Sequence, residues 1–177
     1  HFNEQFHKIF SKKNKLDILI NNAAEPHGSI IEMTSMEKLK KVFETNFFSQ
    51  IRITQKLLRY LKKSKDPSII NIGSILGVLP EKGTIAYGTS KAAFMHATKI
   101  MANEFSVYKI RVNGICPNVI ESKMAKKMDI NSKKNLIEKS FLKRTCTVND
   151  VANLVLFLSG KNSNYLNGQI INLDGGT

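Results

Sequence analysis

The stretch SIINIGSILGVLPEKGTIAYGTSKAAFMHATKIMANEFSVYKIRVNGICP, residues 68–117, decides the fold. Ser68 to Ile72 is a short apolar run that ends at a glycine, and Ile110 to Ile115 is a second such run. Runs of this length bounded by turn residues predict buried strands. Between them Ala86 to Tyr108 predicts a helix of more than ten residues. Strand, long helix and strand make a βαβ unit, whose two strands lie parallel.

Working outward, the same alternation continues on both sides. Met36 to Leu61 has helical periodicity, with Leu39, Val42, Phe43, Phe47, Ile51, Thr54 and Leu58 towards one side. Leu16 to Ile20 is another strand, closing on Asn21 and entering a loop through Ala23, Ala24, Pro26 and Gly28. Phe2 to Lys13 carries a helical stripe of Phe2, Phe6, Ile9 and Phe10. On the C-terminal side, Ser122 to Leu142 is polar and Lys-rich and predicts a mobile flap. Asn149 to Leu158 predicts a helix whose N-terminus Asp150 favours, and Gln169 to Leu173 predicts a last strand. The expected architecture is a doubly wound, Rossmann-type α/β fold: a parallel sheet with helices on both faces, in one domain over residues 1–177.

Composition narrows the classes. The chain has 27 basic and 14 acidic side chains, so 27 − 14 = +13. That excess suits nucleic acid or an acidic partner. The basic residues are mostly Lys scattered along helix faces, and no nucleic-acid motif accompanies them, so an acidic carrier protein is the better match. Cys116 and Cys146 lack metal-ligand spacing and form no disulfide framework, which fits a reducing cytoplasm. No apolar run reaches the length of about 20 residues that spans a bilayer, and no membrane association is expected.

Chemistry concentrates at Tyr87 and Lys91, four residues apart at the head of the long helix, with Ser74 thirteen residues upstream. At i, i+4 a phenol and an ammonium share one helix face. The cation then favours phenolate and draws the tyrosine pKa down, making a proton donor for a carbonyl. In a Lys-rich chain this spacing also arises by chance, beside a half-buried tyrosine. Ser74 follows the strand ending at Ile72, and ligand sites of open α/β sheets gather at such carboxyl ends. An ordinary turn serine fits there as well.

Taken together with Asn21-Asn22-Ala23-Ala24, Asn46, Asn71-Ile72-Gly73-Ser74, Val112-Asn113-Gly114-Ile115-Cys116-Pro117 and Gly168 to Gly176, these motifs resemble the short-chain dehydrogenase/reductase family. They are most similar to its 3-oxoacyl-[acyl-carrier-protein] reductase-like branch. The resemblance implies an NAD(P)-dependent oxidoreductase that moves hydride between nicotinamide and a carbonyl or alcohol carbon. Its substrate would be a small-molecule carbonyl or alcohol, or an acyl-carrier-protein thioester, with Lys62, Lys63, Lys65 and Lys109 available to meet the carrier.

By the same resemblance Tyr87 is the general acid/base, Lys91 lowers its pKa and binds the nicotinamide ribose, and Ser74 holds the substrate oxygen. Asn46 holds a water in the proton relay from Lys91, although a buried amide satisfied by backbone fits it too. Asn22, Ala23 and Ala24 line the adenosine side of the cofactor. Pro117 and Ile120 border the nicotinamide carboxamide, and Ser122 stands where a threonine often hydrogen-bonds it. Two departures stand out: Ala24 and Asn118 occupy positions where the family commonly has glycine. Asn tolerates positive φ better than other side chains, which would preserve the turn at 118. His1, His7, His27 and His96 suggest no metal site or triad.

The family opens with a strand and a glycine-rich turn that holds the cofactor pyrophosphate. Neither is present in these 177 residues. The expectations are therefore an N-terminally truncated domain, a bare sheet edge at the Leu16 to Ile20 strand, and poor dinucleotide binding by this stretch alone. A non-catalytic remnant or interaction protein is the alternative. NAD and NADP are equally compatible, since the discriminating residue follows the second strand of the family. Homo-oligomers, dimers or tetramers, are expected by analogy through the helices at Met36 to Leu61 and Ala86 to Tyr108.

Overall fold

The computed structural model describes residues 14–121 and 130–177. The expected helix at Phe2 to Lys13 lies outside them, as does the first part of the flap. Four strands, β1 (Ile18–Asn21), β2 (Ser68–Ile72), β3 (Arg111–Pro117) and β4 (Ile170–Leu173), form one sheet in the order β1-β2-β3-β4. All three pairings are parallel, with Asn21 opposite Asn71 and Ile72 opposite Ile115. The helices are α1 (Met36–Phe43), α2 (Ser49–Leu61), α3 (Ile85–Phe105), α4 (Ile130–Lys139) and α5 (Val148–Ser159).

The central strands are buried along their whole length, β2 and β3 both showing no exposed position. Successive side chains on a strand point to opposite faces, so one strand feeds two cores. Ile69, Val112 and Cys116 pack with Leu57 and Leu61 of α2 and Phe94, Met95 and Phe105 of α3. Ile70, Ile72 and Ile115 face Leu158 of α5, with Val151 and Leu154 beside it. Helices therefore cover both faces, as the alternation predicts. On β1 the second face is open: Ile18 and Ile20 are 42% and 47% exposed. Among the described residues β1 pairs with β2 alone.

A polar chain crosses the first core. Asn21 Nδ2 donates to Asn71 Oδ1 (2.9 Å) and Thr54 Oγ1 (3.1 Å), and Asn71 Nδ2 donates to Thr98 Oγ1 (2.9 Å). All four residues are buried. Each bond contributes about 1 kcal/mol net, whereas breaking one strands a buried polar group at greater cost, so the chain fixes the β1/β2 register and seats α2 and α3. Arg111, also buried, donates to the carbonyls of Leu158, Gly160 and Ser163 and so closes the C-terminus of α5. At the other end of α5, Thr147 and Asp150 form a capping box, the role the sequence expects of Asp150.

Besides β1, which spans Ile18–Asn21 rather than Leu16 to Ile20, three features differ from the sequence reading. The helix from 36 to 61 is continuous but carries a π turn over Glu44–Phe48. The carbonyl of Thr45 is met by side chains, Ser49 Oγ at 2.7 Å and Gln50 Nε2 at 3.2 Å. β3 runs two residues further than its apolar run, to Pro117, because β4 pairs with it to that point. The returning limb of the flap contains α4, a helix whose weak apolar stripe is anchored by the buried Leu136.

Candidate active site

The carboxyl ends of β2 and β3 meet the N-terminus of α3. Gly73 continues from β2, donating its N–H to Ile115 O at 2.7 Å. Ser74 then caps a 3₁₀ turn, Ile75–Gly77, accepting from Leu76 N at 3.2 Å. This turn lies directly on α3. A Cβ on Gly88 would stand 2.6 Å from Leu76 O, and one on Gly77 would stand 2.9 Å from Ala92 N. Both glycines therefore permit backbone approach that no other residue would. The approach brings the Tyr87 and Ser74 side chains together, where Ser74 favours the ionised phenol.

Electrostatics here depart from the expectation. Burial pushes the half-buried Tyr87 phenol above its ordinary pKa, and the neighbouring Ser74 side chain only partly opposes it. Lys91 does not draw it down: its Nζ stands 6.0 Å from the Tyr87 ring centroid and donates to Ile72 O at 2.7 Å. Lys91 is itself 2% exposed, and burial lowers its pKa to about 8. Cys116 lies fully buried beside this group, its thiol pushed up by burial while Lys91 and the Ser74 backbone pull it down.

Asn46, wholly buried in the π turn, reaches two elements. Its Oδ1 accepts from Glu25 N at 2.7 Å, and its Nδ2 donates to Glu25 O at 3.1 Å and to Ser90 Oγ at 3.0 Å. Ser90 Oγ donates in turn to Tyr87 O at 2.7 Å. Both amide hydrogens of Asn46 are thus engaged by protein groups. Gln50 Nε2 holds Ala23 O at 2.9 Å. Between these two clamps the Asn22-Ala23-Ala24 segment leaves β1 with Asn22 and Ala23 exposed, a firm surface of small side chains on which a flat group can rest. Ala24 does not have positive φ, so the methyl where glycine is common is accommodated.

Asn118 corrects another expectation. It too lacks positive φ. Its side chain works instead as a bridge: Oδ1 accepts from Val119 N at 2.8 Å, and Nδ2 donates to Leu136 O and Asp174 O, each at 3.3 Å. Pro117 is the last residue of β3, and the partly buried Ile120 pairs in an isolated bridge with Cys146. Ser122 lies outside the described residues.

The structure therefore brings Ser74, Tyr87 and Lys91 together, with Asn46 behind them through Ser90 and the 22–24 segment and Pro117–Ile120 on neighbouring strand ends. The lysines expected to meet a carrier sit elsewhere. Lys62, Lys63 and Lys65 precede β2 and Lys109 precedes β3, at the amino ends of strands whose carboxyl ends carry the site. The length of β2 alone separates them by roughly 16 Å, and Lys62 Nζ covers the Tyr108 ring at 3.5 Å. Sequence reasoning missed Ser90, Gln50, Gly77 and Gly88. A glycine inside a helix beside the key tyrosine was the available signal for Gly88. Among the described residues no His, Cys, Asp or Glu group could hold a metal, and no helix is long and apolar enough to cross a membrane.

Comparison with known proteins bears on the family and the fold. A family model described as enoyl-(acyl carrier protein) reductase matches residues 1–177. The 3-oxoacyl-[acyl-carrier-protein] reductase FabG of Thermotoga maritima is 31% identical over 173 residues, 98% of this chain and 70% of the relative. The FabG of Chlamydia pneumoniae is 33% identical over 169 residues, 96% of this chain and 68% of the relative. The solved structure of ElxO with NADP bound superposes with a TM-score of 0.87 at 28% identity, covering 98% of this chain and 71% of that one. With β1 to β4 and the Ser74, Tyr87 and Lys91 cluster placed as described, the chain belongs to the short-chain dehydrogenase/reductase family of NAD(P)-dependent oxidoreductases.

Proposed function

We propose that the chain carries the catalytic half-site of a carbonyl reductase, working with NAD or NADP on a 3-oxoacyl thioester. The observation that carries this reading is the meeting of the Ser74 and Tyr87 side chains beside the buried Lys91. Two hydroxyls converging at the carboxyl end of a parallel sheet can both point at one carbonyl oxygen. The raised pKa keeps the Tyr87 proton in place until a substrate draws it, as a proton donor requires.

The residues present fit a dinucleotide on this side of the sheet. The clamped, exposed 22–24 segment offers a flat surface, and Lys91 offers a cation whose Nζ could leave Ile72 O for a ribose hydroxyl. Bound there, the cofactor supplies the hydride that reaches the carbonyl carbon. Tyr87 Oη gives its proton to the carbonyl oxygen, and Ser74 fixes that oxygen beside it and favours the phenolate left behind, while Lys91 would hold the ribose. In the reverse direction the phenolate takes the alcohol proton. Asn46 acts through Ser90 and Glu25, holding the Tyr87 turn and the loop after β1 in register, while Pro117, Ile120 and Ser122 border the nicotinamide end.

The FabG relatives support the thioester, and an acyl carrier protein as its bearer. Exposed Met36, Phe48 and Ile100 on the α1–α2 and α3 surfaces support a homo-oligomer, a dimer or tetramer. Two free cysteines agree with a cytoplasmic setting. Cofactor oxidation by the complete gene product tests the reading, with NADH and NADPH each offered against a 3-oxoacyl thioester, a 2-enoyl thioester and a panel of sugar ketones. Turnover of the 3-oxoacyl thioester that disappears in Tyr87→Phe is expected. Turnover of the enoyl thioester alone, or of none, overturns it.

A further inference from the structure

The flap's returning limb is tied down at its far end by an unusual set of contacts. The chain leaves β3 at Pro117 and comes back at Cys146, where Cys146 N donates to Val119 O at 2.9 Å and Glu121 N donates to Cys146 O at 3.3 Å. Above this neck, α4 is held from two directions. The segment after β4 accepts two consecutive amides: Phe141 N donates to Gly176 O (2.9 Å) and Leu142 N to Gly175 O (3.2 Å), and Ser140 Oγ reaches Gly175 O at 3.2 Å. Lys139 forms an ion pair with Glu81 in the loop that follows the Ser74 turn. The C-terminal end of α4 and the residues just after it are therefore tied both to the segment after β4 and to the loop beyond Ser74.

Asn118 joins these pieces. It is 8% exposed, and its one amide bridges the end of β3 (Val119 N), the last turn of α4 (Leu136 O) and the segment after β4 (Asp174 O). Its backbone N–H, donated to Leu173 O at 3.0 Å, continues the β3–β4 pairing. Neither a glycine nor an alanine could make the two side-chain donations. A buried amide with both hydrogens and its oxygen engaged fixes one arrangement of its neighbours, since any displacement strands polar groups away from water.

We propose that Asn118 is a positioning residue for substrate: it clamps α4 to the β3 and β4 ends, so that α4 stands as a fixed wall of the carbonyl-binding cleft. This rests on the reductase reading of the Ser74–Tyr87 pair. The clamp acts on binding of the carbonyl substrate and leaves the proton donor itself untouched.

The test uses three variants of the complete gene product. Asn118→Ala removes the bridge, and Asn118→Asp keeps the acceptor for Val119 N while setting a carboxylate against two carbonyls. Gly175→Ala attacks the clamp from the other side: its φ is +72°, and a Cβ would stand 2.5 Å from Ser140 Oγ. Amide hydrogen exchange in residues 136–146 should speed up about tenfold or more in each, as loss of one or two hydrogen bonds predicts for local opening, while residues 49–61 exchange as in the wild type. KM for the carbonyl substrate should rise about tenfold with kcat within about twofold, the signature of lost binding alone. Unchanged exchange in Asn118→Asp overturns the clamp, and faster exchange with unchanged KM overturns the positioning role. Exchange reads the clamp even if the protein reduces no carbonyl, so failure of the reductase reading is seen separately.

Discussion

The side chain of Tyr87 meets that of Ser74 across thirteen residues of chain and two secondary-structure elements. The contact exists because a 3₁₀ turn and a helix touch backbone to backbone at glycines. Burial holds the proton on the phenol with its pKa above the ordinary value, in a setting where a carbonyl oxygen can stand between the two hydroxyls. Tyr87→Phe deletes the proton and keeps the ring, so kcat should fall by about 10²–10⁴ while the melting temperature stays within a few degrees. Ser74→Ala keeps the proton and loses the second donor, and its loss should fall mainly on kcat. Steady-state kinetics with thermal denaturation checks both, and a Tyr87→Phe enzyme retaining a tenth of wild-type turnover would remove Tyr87 from the reaction.

Lys91 gives the reaction a pH limit. Its buried ammonium has a pKa near 8, so the cation proposed to hold the cofactor ribose is lost as pH rises through that value. The limb belongs to the free enzyme and should appear in kcat/KM for reduction, falling with an apparent pKa near 8. Stability moves the other way. The unfolded lysine titrates near its ordinary 10.5, so between about pH 8 and 10 the unfolded chain binds more protons and this residue's contribution to stability rises with pH. Lys91→Met removes a burial cost of about 3 kcal/mol below pH 8, offset by about 1–2 kcal/mol for the lost bond to Ile72 O. The variant's stability relative to wild type should therefore be greatest below pH 8 and shrink above it. Denaturant titration at pH 7 and 9.5 measures this, and a pH-independent difference would mean that Lys91 is not desolvated.

The strands and helices were legible because burial on both faces leaves apolar runs such as Ile69-Ile70, and these need no knowledge of partners. The Ser74, Tyr87 and Lys91 cluster was legible for a different reason: helical spacing puts two of them on one face, and the carboxyl-end rule places the third. What the sequence hid depends on three-dimensional distance. The Tyr87 pKa was expected to fall because Lys91 is one turn away, but the ammonium turns to Ile72 O and burial prevails. Asn118 looked like a glycine substitute tolerating positive φ, and its importance lies in reaching Leu136 and Asp174, 18 and 56 residues on. That Lys62, Lys63, Lys65 and Lys109 lie at the amino ends of strands was hidden too, because charge counts carry no information about which end of a sheet a loop occupies.

Asn46 ties three separate polar groups, Glu25 N, Glu25 O and Ser90 Oγ, in a site with no exposure. Asn46→Ala removes all three bonds, and the expected loss is about 2–4 kcal/mol. For a chain of this size that corresponds to roughly 5–15 °C in melting temperature. Because Glu25 adjoins the 22–24 segment, cofactor affinity should weaken along with stability. Calorimetry and cofactor titration on the same preparation test this, and a variant as stable as wild type would show that the amide is dispensable to the fold.

Gly88 offers the sharpest separation of stability from activity. It occupies the first turn of α3, where alanine is favoured over glycine by about 1 kcal/mol on helix propensity alone. Its place against Leu76 leaves no room for that gain: an added Cβ would lie 2.6 Å from Leu76 O and 3.2 Å from Thr84 Oγ1. Leu76 O belongs to backbone and cannot rotate away, so relief requires the 3₁₀ turn and α3 to separate. Ser74 leads that turn and Tyr87 precedes Gly88, and the same displacement pulls their hydroxyls apart. Gly88→Ala should therefore cut kcat by about 10²-fold through loss of alignment of the order of 1 Å. The core below, built on Phe94, Met95 and Phe105, keeps its packing, so the protein should remain folded. Kinetics on the folded variant decides the matter: wild-type kcat would mean that the contact between turn and helix does not set the geometry of the hydroxyl pair.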